Sequence, residues 1–183
     1  GENTVEVSLY QGEWEYEMDY NGIPAGVPLV ADSVIQEIRD VDHVESVSRY
    51  LSRQDYSGVY HLNTALSGGY VKGIDQNYFD TCNYIMKEGR GFTEDDYKNY
   101  HKVAILDSDS ASTLFQGEDP VGSTIEIQKE PYTVVGIVTK SKTFEPVINS
   151  IDDYYTYAQE TAGSIYIPDT TWPIIYQYDE PQN

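Results

Sequence analysis

The chain carries one cysteine, Cys82, in 183 residues, which excludes an internal disulfide and any zinc site built on paired thiolates. Basic side chains are scarce: 11 Lys and Arg stand against 31 Asp and Glu, a formal net charge of −20. A field of that sign repels phosphate backbones and anionic headgroups, so nucleic acid is excluded as a partner. Long apolar runs are missing too. The longest, Val134 to Val138, has Gly136 inside it and falls far short of the roughly 20 residues that span a bilayer. No basic segment followed by an apolar one opens the sequence, so an export signal is expected outside it, and both ends read as cuts in a longer chain.

What is present is core material. Hydrophobic residues make up 39% and aromatics 13%, too much for a disordered acidic tail and enough, at this length, for one core with at most a small satellite. The acid therefore belongs to a surface. Tyrosine dominates the aromatics, 18 against 4 Phe and 2 Trp. Its half-polar ring suits thin sheets and exposed faces, so a tyrosine-rich β surface is expected.

Periodicity supplies the elements. Val5, Val7 and Leu9 alternate with polar residues, and Trp14, Tyr16, Met18 and Tyr20 alternate with Glu13, Glu15, Glu17 and Asp19, which predicts two strands, the second with one aromatic and one acidic face. Val30, Val34, Ile38 and Val41 recur at helical spacing and predict an amphipathic helix. Further strands are expected at Val47–Leu51, Val59–Asn63 and Tyr70–Ile74, and a short helix over 76–83. An acidic turn at Thr93–Asp96 precedes a strand at Val103–Leu106 and a helix from Asp107 or Ser108 to Phe115. Asp119-Pro120-Val121-Gly122 has the residues of a type I turn. A hairpin turning at Lys129-Glu130, a long loop over 141–163 and a strand at Ile165–Pro168 complete the reading.

Catalytic signatures do not converge. There is no nucleophile elbow, no paired-histidine zinc motif and no phosphate loop, and Gly89-Arg90-Gly91 lacks the third glycine of a dinucleotide fingerprint. His43, His61 and His101 are scattered without metal-ligand spacing. Asp107-Ser108-Asp109 begins like a calcium loop, but Ala111 and Ser112 stand where a ligand and the turn glycine are needed, so both aspartates are read as N-terminal carboxylates of a helix. Carboxylate pairs such as Asp95-Asp96 and Asp152-Asp153 match a glycosidase only in number. No catalytic residue, cofactor or metal is expected. The acidic surface fits a cationic partner, since it would steer basic peptides into contact.

The order of several short motifs resembles a family. Gly73-Ile74-Asp75, Tyr78-Phe79, Gly89-Arg90, Phe92-Thr93, Asp96 and Val103 to Leu106 are followed by Leu114-Phe115, Asp119-Pro120-Val121-Gly122-Ser123-Thr124-Ile125, Tyr132 to Val138 and Ile165-Tyr166-Ile167-Pro168. In that order they resemble the MacB-like periplasmic core domain of MacB/FtsX-type ABC transporter permeases, over more than half the chain. The resemblance implies an α+β fold in which 1–88 and 141–183 form a porter-like mixed layer and 89–140 form an inserted, mostly β subdomain. It also implies an extracytoplasmic domain held between transmembrane helices of a dimeric permease, non-enzymatic, moved by a cytoplasmic ATPase and touching substrate or an envelope protein during export. Gly89, Arg90, Phe92, Asp96, Asp119, Pro120, Gly122, Gly136 and Pro168 are then structural, with Arg90 pairing Asp96. Contact surfaces are expected at Tyr154, Tyr155 and Tyr157 and at Glu13, Glu15 and Glu17. Gln128-Lys129-Glu130 departs from the glycine turn common in the family. The competing reading is a stand-alone secreted acidic module for cationic peptides or surface glycans.

Overall fold

A computed structural model describes residues 4–141, 150–151 and 162–176. Its elements are β1 (Tyr10–Gln11), β2 (Trp14–Glu15), α1 (Met18–Asn21), α2 (Asp32–Arg39), β3 (Tyr50–Asp55), β4 (Val59–His61), β5 (Thr64–Ala65), β6 (Gly69–Ile74), α3 (Tyr78–Thr81), β7 (Tyr84–Gly89), α4 (Glu94–Lys98), β8 (Val103–Asp107), α5 (Ser108–Phe115), β9 (Thr124–Ile127), β10 (Glu130–Lys140) and β11 (Ser164–Pro168). A 3-10 turn at Asp169–Thr171 leads into α6 (Trp172–Ile175). The fold is mixed α and β, as expected. Nine strands share one sheet in the order β3-β6-β11-β8-β10-β9-β4-β5, with β7 beside β10.

The apolar runs of β8 and β11 lie at the centre of that sheet, where both faces are covered. Ala104, Leu106, Ile165 and Ile167 point into one cluster with Leu114, Phe115 and Trp172, while Ile105 and Tyr166 point into the opposite cluster with Ile74, Tyr78 and Val138. Tyrosine is part of this core: Tyr78, Tyr132 and Tyr166 are buried. The other described tyrosines are exposed or half-buried, as the sequence leads one to expect, so these three are the exceptions to the tyrosine surface. Tyr166 is accepted inside because its hydroxyl donates to the Tyr84 hydroxyl at 3.0 Å and its ring meets those of Phe79 and Tyr84 at 5.0 and 5.7 Å.

Strand β10 is the organiser. On one edge it runs parallel to β8; on the other it pairs β9 through Glu130–Thr133 and then β7 through Gly136–Lys140. The register slips between Val134 and Gly136, leaving Val135 as a bulge where one neighbour hands over to the next. β7 was not anticipated, because Tyr84 to Gly89 carries no strict alternation of apolar residues and leaves Ile85, Lys87 and Glu88 exposed. The hairpin before β10 turns on Gln128 and Lys129 rather than on Lys129-Glu130. Both have positive φ, 50° and 68°, the backbone of a type I′ loop. Gln128 tolerates this because its backbone N–H donates to the Gly58 carbonyl at 2.8 Å and its amide to Asp55 at 2.7 Å.

The N-terminal reading needs the largest correction. Only Tyr10–Gln11 and Trp14–Glu15 pair, and Met18–Asn21 coils into α1 instead of continuing the strand. A two-stranded ribbon with no third strand gains too little to hold the alternation. Glu13, Glu15 and Glu17 are exposed, but Glu13 sits on the hairpin tip, Glu15 ends β2 opposite Tyr10 and Glu17 lies in the linker to α1, so they do not line one face of a continuous strand. Helix α2 forms where its spacing predicts, yet none of its residues is buried.

Candidate functional site

The family-type motifs converge on a node at the end of β7. Asp96 is 1% exposed. Its carboxylate accepts from Arg90 at 2.7 and 3.3 Å, from the Thr93 backbone N–H at 2.9 Å, and faces His101 Nδ1 at 3.0 Å. The Thr93 hydroxyl in turn accepts from the Asp96 N–H, closing a capping box over α4. The segment expected as an acidic turn is therefore a helix. Thr-x-x-Asp was the signal for it. Burial alone would push the Asp96 carboxyl up, but the Arg90 fork, the Thr93 N–H and His101 together hold it well below the usual carboxylate range. Both His101 ring nitrogens face carboxylates, Nε2 lying 3.9 Å from Asp95, so neither is aimed at a nucleophile.

Gly89 and Gly136 are register partners across β7 and β10. Gly89 has φ of 73°, and a Cβ there would stand 2.1 Å from the Val135 carbonyl oxygen; one on Gly136 would stand 2.6 Å from the Arg90 carbonyl oxygen. Arg90 N–H donates to that same Val135 carbonyl at 2.9 Å, satisfying the bulge. Phe92 packs half-buried between Phe79 and Tyr97, and the Tyr97 hydroxyl donates to the Ile74 carbonyl at 2.7 Å. Gly89, Arg90, Phe92, Asp96 and Gly136 thus form one packed unit.

The remaining motif residues lie apart from it. At Asp119 to Gly122 the turn is shifted by one: Ser123 N–H donates to the Pro120 carbonyl at 3.0 Å, Gly122 has φ of 90°, and Asp119 accepts from the Val121 N–H at 3.0 Å. That places Gly122 at the third position of a type II turn, where positive φ is required. Pro168 ends β11 opposite Ile74. Tyr154, Tyr155 and Tyr157 lie outside the described residues. Asp107 caps α5, one oxygen accepting from Ser110 N–H at 2.8 Å and the other from Ser164 N–H at 2.9 Å. Among the described residues no group of three or more His, Cys, Asp or Glu is placed to hold a metal ion, and no helix is long and apolar enough to cross a membrane.

Two polar centres carried no sequence signal. Asp55, buried at the end of β3, accepts from Gly58 N–H, Gln128 and the Tyr176 hydroxyl at 2.6, 2.7 and 2.6 Å; burial opposes its charge, but these bonds hold the carboxyl below its ordinary value. Asp169, just after β11, has the opposite balance. Burial and the nearby Asp75 and Asp32 push it up to about 6 against the pull of Arg49. The folded state thus binds that proton more tightly than the unfolded chain, so the stabilisation is complete below the unfolded carboxyl value and is lost as pH rises through about 6. The domain is expected to melt higher at pH 5 than at pH 7, with Asp169→Asn removing at most about 1 kcal/mol of that difference after allowance for partial exposure. A thermal melt series settles it: an unchanged slope in the variant refutes the assignment.

Comparison with known proteins places this arrangement. The MacB-like periplasmic core domain matches residues 2–182. The uncharacterized ABC transporter permease YvrN of Bacillus subtilis is 29% identical over 157 residues, covering 86% of this chain and 36% of that protein. The macrolide export ATP-binding/permease protein MacB of Aggregatibacter actinomycetemcomitans is 32% identical over 119 residues, 59% of this chain and 18% of that protein. The chain therefore spans about a third or less of these relatives. In fold it is similar to the periplasmic region of MacB from Actinobacillus actinomycetemcomitans, at TM-score 0.60, 22% identity and coverage of 80% of this chain and 58% of that one. It is similar also to the extracellular domain of the noncanonic ABC-type transporter YknZ from Gram-positive bacteria, at TM-score 0.58, 18% identity, and 79% and 65% coverage. The sheet, the ordered motifs and the match along nearly the whole chain lead to one conclusion: this chain belongs to the MacB-like periplasmic core domain family of ABC transporter permeases.

Proposed function

We propose that this chain is the extracytoplasmic, non-enzymatic domain of an ABC permease and that it passes motion driven by a cytoplasmic ATPase to a substrate or partner outside the membrane. The observation that carries the reading is the family match over residues 2–182 in a chain that spans 36% of a permease relative. A rigid body suits such a task, because a change in helix separation inside is transmitted outside only if the domain between does not yield. The nine-stranded sheet buried on both faces at its centre supports this. The division into 1–88 with 141–183 and an inserted 89–140 is part of the proposal. The two parts share one sheet, in which β8 of the inserted stretch pairs with β11 and β9 pairs with β4.

The direct test is the native gene on both sides of this sequence. One apolar span of about 20 residues upstream and several downstream are expected. A cleavable signal upstream with a stop codon downstream would leave a secreted acidic module and overturn the permease reading. Transmission itself is tested in the full-length dimer with a spin label at exposed Thr113, which lies on α5. The label-to-label distance between protomers is expected to shift on ATP binding; an unchanged distance sinks the coupling.

A further inference from the structure

Three strand ends of the main sheet come level at one place. Tyr50, at the start of β3, is the register partner of Ile74 at the end of β6, and Pro168, the last residue of β11, partners Ile74 from the other side. One position beyond that line stand Arg49, Asp75 and Asp169. Strand spacing puts the backbones of Arg49 and Asp169 about 10 Å apart with Asp75 between them, a gap that an arginine and an aspartate side chain close from both ends. The Asp169 backbone also lies over β6, since a Cβ on Gly73 would stand 3.4 Å from its Cα. A fourth charge enters from outside the sheet: Asp32, in the first turn of α2, pairs with the Arg49 guanidinium at 2.7 Å. One cation thus serves three carboxylates.

The three are not equivalent. Asp75 accepts from the Ser48 hydroxyl at 2.7 Å, the Arg49 backbone N–H at 3.0 Å and the Asn77 N–H at 3.1 Å, so its charge is held by groups that do not titrate in this range. Asp32 is exposed and solvated by water. Asp169 is enclosed. Asp75 faces it from the end of β6, Asp32 from α2 and Tyr97 from α4, while Arg49 is the cation beside it. The Tyr97 hydroxyl is engaged by the Ile74 carbonyl at 2.7 Å, Asp96 of α4 by Arg90, and Lys72 of β6 by the Tyr50 and Tyr70 rings. α6, which follows the same turn, carries no carboxylate or basic side chain. Helix α2 for its part has no buried residue. Among the described residues, the hydrogen bonds and ion pairs that tie it to the sheet come from Arg49, to Asp32 and to the Val30 carbonyl just before its cap at 2.8 Å. An ionised Asp169 gains more from the guanidinium than exposed Asp32 does, because water screens it less.

We propose that Arg49 is a proton-controlled latch on α2: with Asp169 protonated its guanidinium holds the helix through Asp32 and the Val30 carbonyl, and with Asp169 ionised it swings inward to that carboxylate and releases the helix. The latch rests on this cluster, goes beyond the permease reading and can fail without it. The test is a pair of nitroxide labels, on Ser33→Cys of α2 and Thr113→Cys of α5, both exposed positions, in a Cys82→Ser background. Their distance distribution is expected to be narrow at about pH 5 and broad at about pH 7. The released-to-docked ratio is expected to rise about tenfold over that window, the change one carboxyl produces when its value falls from about 6 to the ordinary range on pairing with Arg49. Asp169→Asn is expected to keep the narrow distance throughout, and Arg49→Gln to give the broad one throughout. Asp32→Asn, at an exposed side chain that folding does not need, is expected to raise release already at about pH 5. An unchanged distribution between the two pH values overturns the latch. So does a rise that persists in Asp169→Asn, which would transfer the proton to a histidine, or an undisturbed narrow distance in Arg49→Gln or Asp32→Asn at about pH 5.

Discussion

Gly89→Ala is expected to cost about 3–5 kcal/mol, a large share of the 5–15 kcal/mol that holds a typical domain together. Two effects add. A side chain at φ of 73° carries roughly 1–2 kcal/mol of left-handed strain. The larger effect is steric: the new Cβ would stand 2.1 Å from the Val135 carbonyl oxygen and 2.9 Å from its carbon, and backbone cannot rotate aside as a side chain can. Relief would open β7 from β10 at the bulge and break the bond from Arg90 N–H to the Val135 carbonyl. Gly122→Ala separates the two effects. Its φ of 90° imposes the same kind of strain, but nothing lies within 4 Å of the added methyl, so a loss of only about 1 kcal/mol is expected. Denaturant midpoints for both variants decide the matter. If Gly89→Ala loses no more than Gly122→Ala, the two strands do not approach as closely as described.

Asp96→Ala is expected to lose about 3 kcal/mol, or roughly 6–12 °C in melting temperature for a chain of this size. The carboxylate is almost wholly buried while Arg90 stays about half exposed, so its removal strands few buried charges. What it does remove is the reciprocal cap of α4, the Arg90 fork and the bond to Thr93 N–H. Because the folded-state carboxyl lies below the unfolded value, its contribution is present above about pH 4 and disappears as pH falls further. Wild type should therefore lose stability steeply below about pH 4, and the variant less so. A parallel acid slope in the two proteins would show that the node contributes no charge-linked stability. Asp169 acts in the window above this one, with the opposite sign, so the two carboxylates are separable by pH alone.

Much of the central sheet was legible because it obeys local rules. The buried runs Val103–Leu106 and Ile165–Pro168, the alternating Thr124–Ile127, and α5 with Leu114 and Phe115 on one face all have the period of the structure they adopt. Arg90 and Asp96 were within reach of each other in sequence, so their pairing could be anticipated. The failures are physical as well. Met18–Asn21 alternates like a strand but has no neighbouring strand to pair with, and Tyr84–Gly89 lacks alternation yet finds the free edge of β10. A strand is completed by its partner, which the local pattern does not name.

By itself the amino-acid sequence determined the charge, the family, the turn glycines and the elements whose apolar period is long enough to speak for itself. Only the tertiary structure decided that Asp55 would meet Gln128 and Tyr176, 73 and 121 residues away. It alone decided that the bulge at Val135 would need glycine on both sides of the β7–β10 contact. It decided too that the apolar face of α2 would be left outside. Periodicity reports that a face is apolar, whereas burial depends on whether the chain brings something to cover it, and that is set by long-range closure rather than by any local propensity.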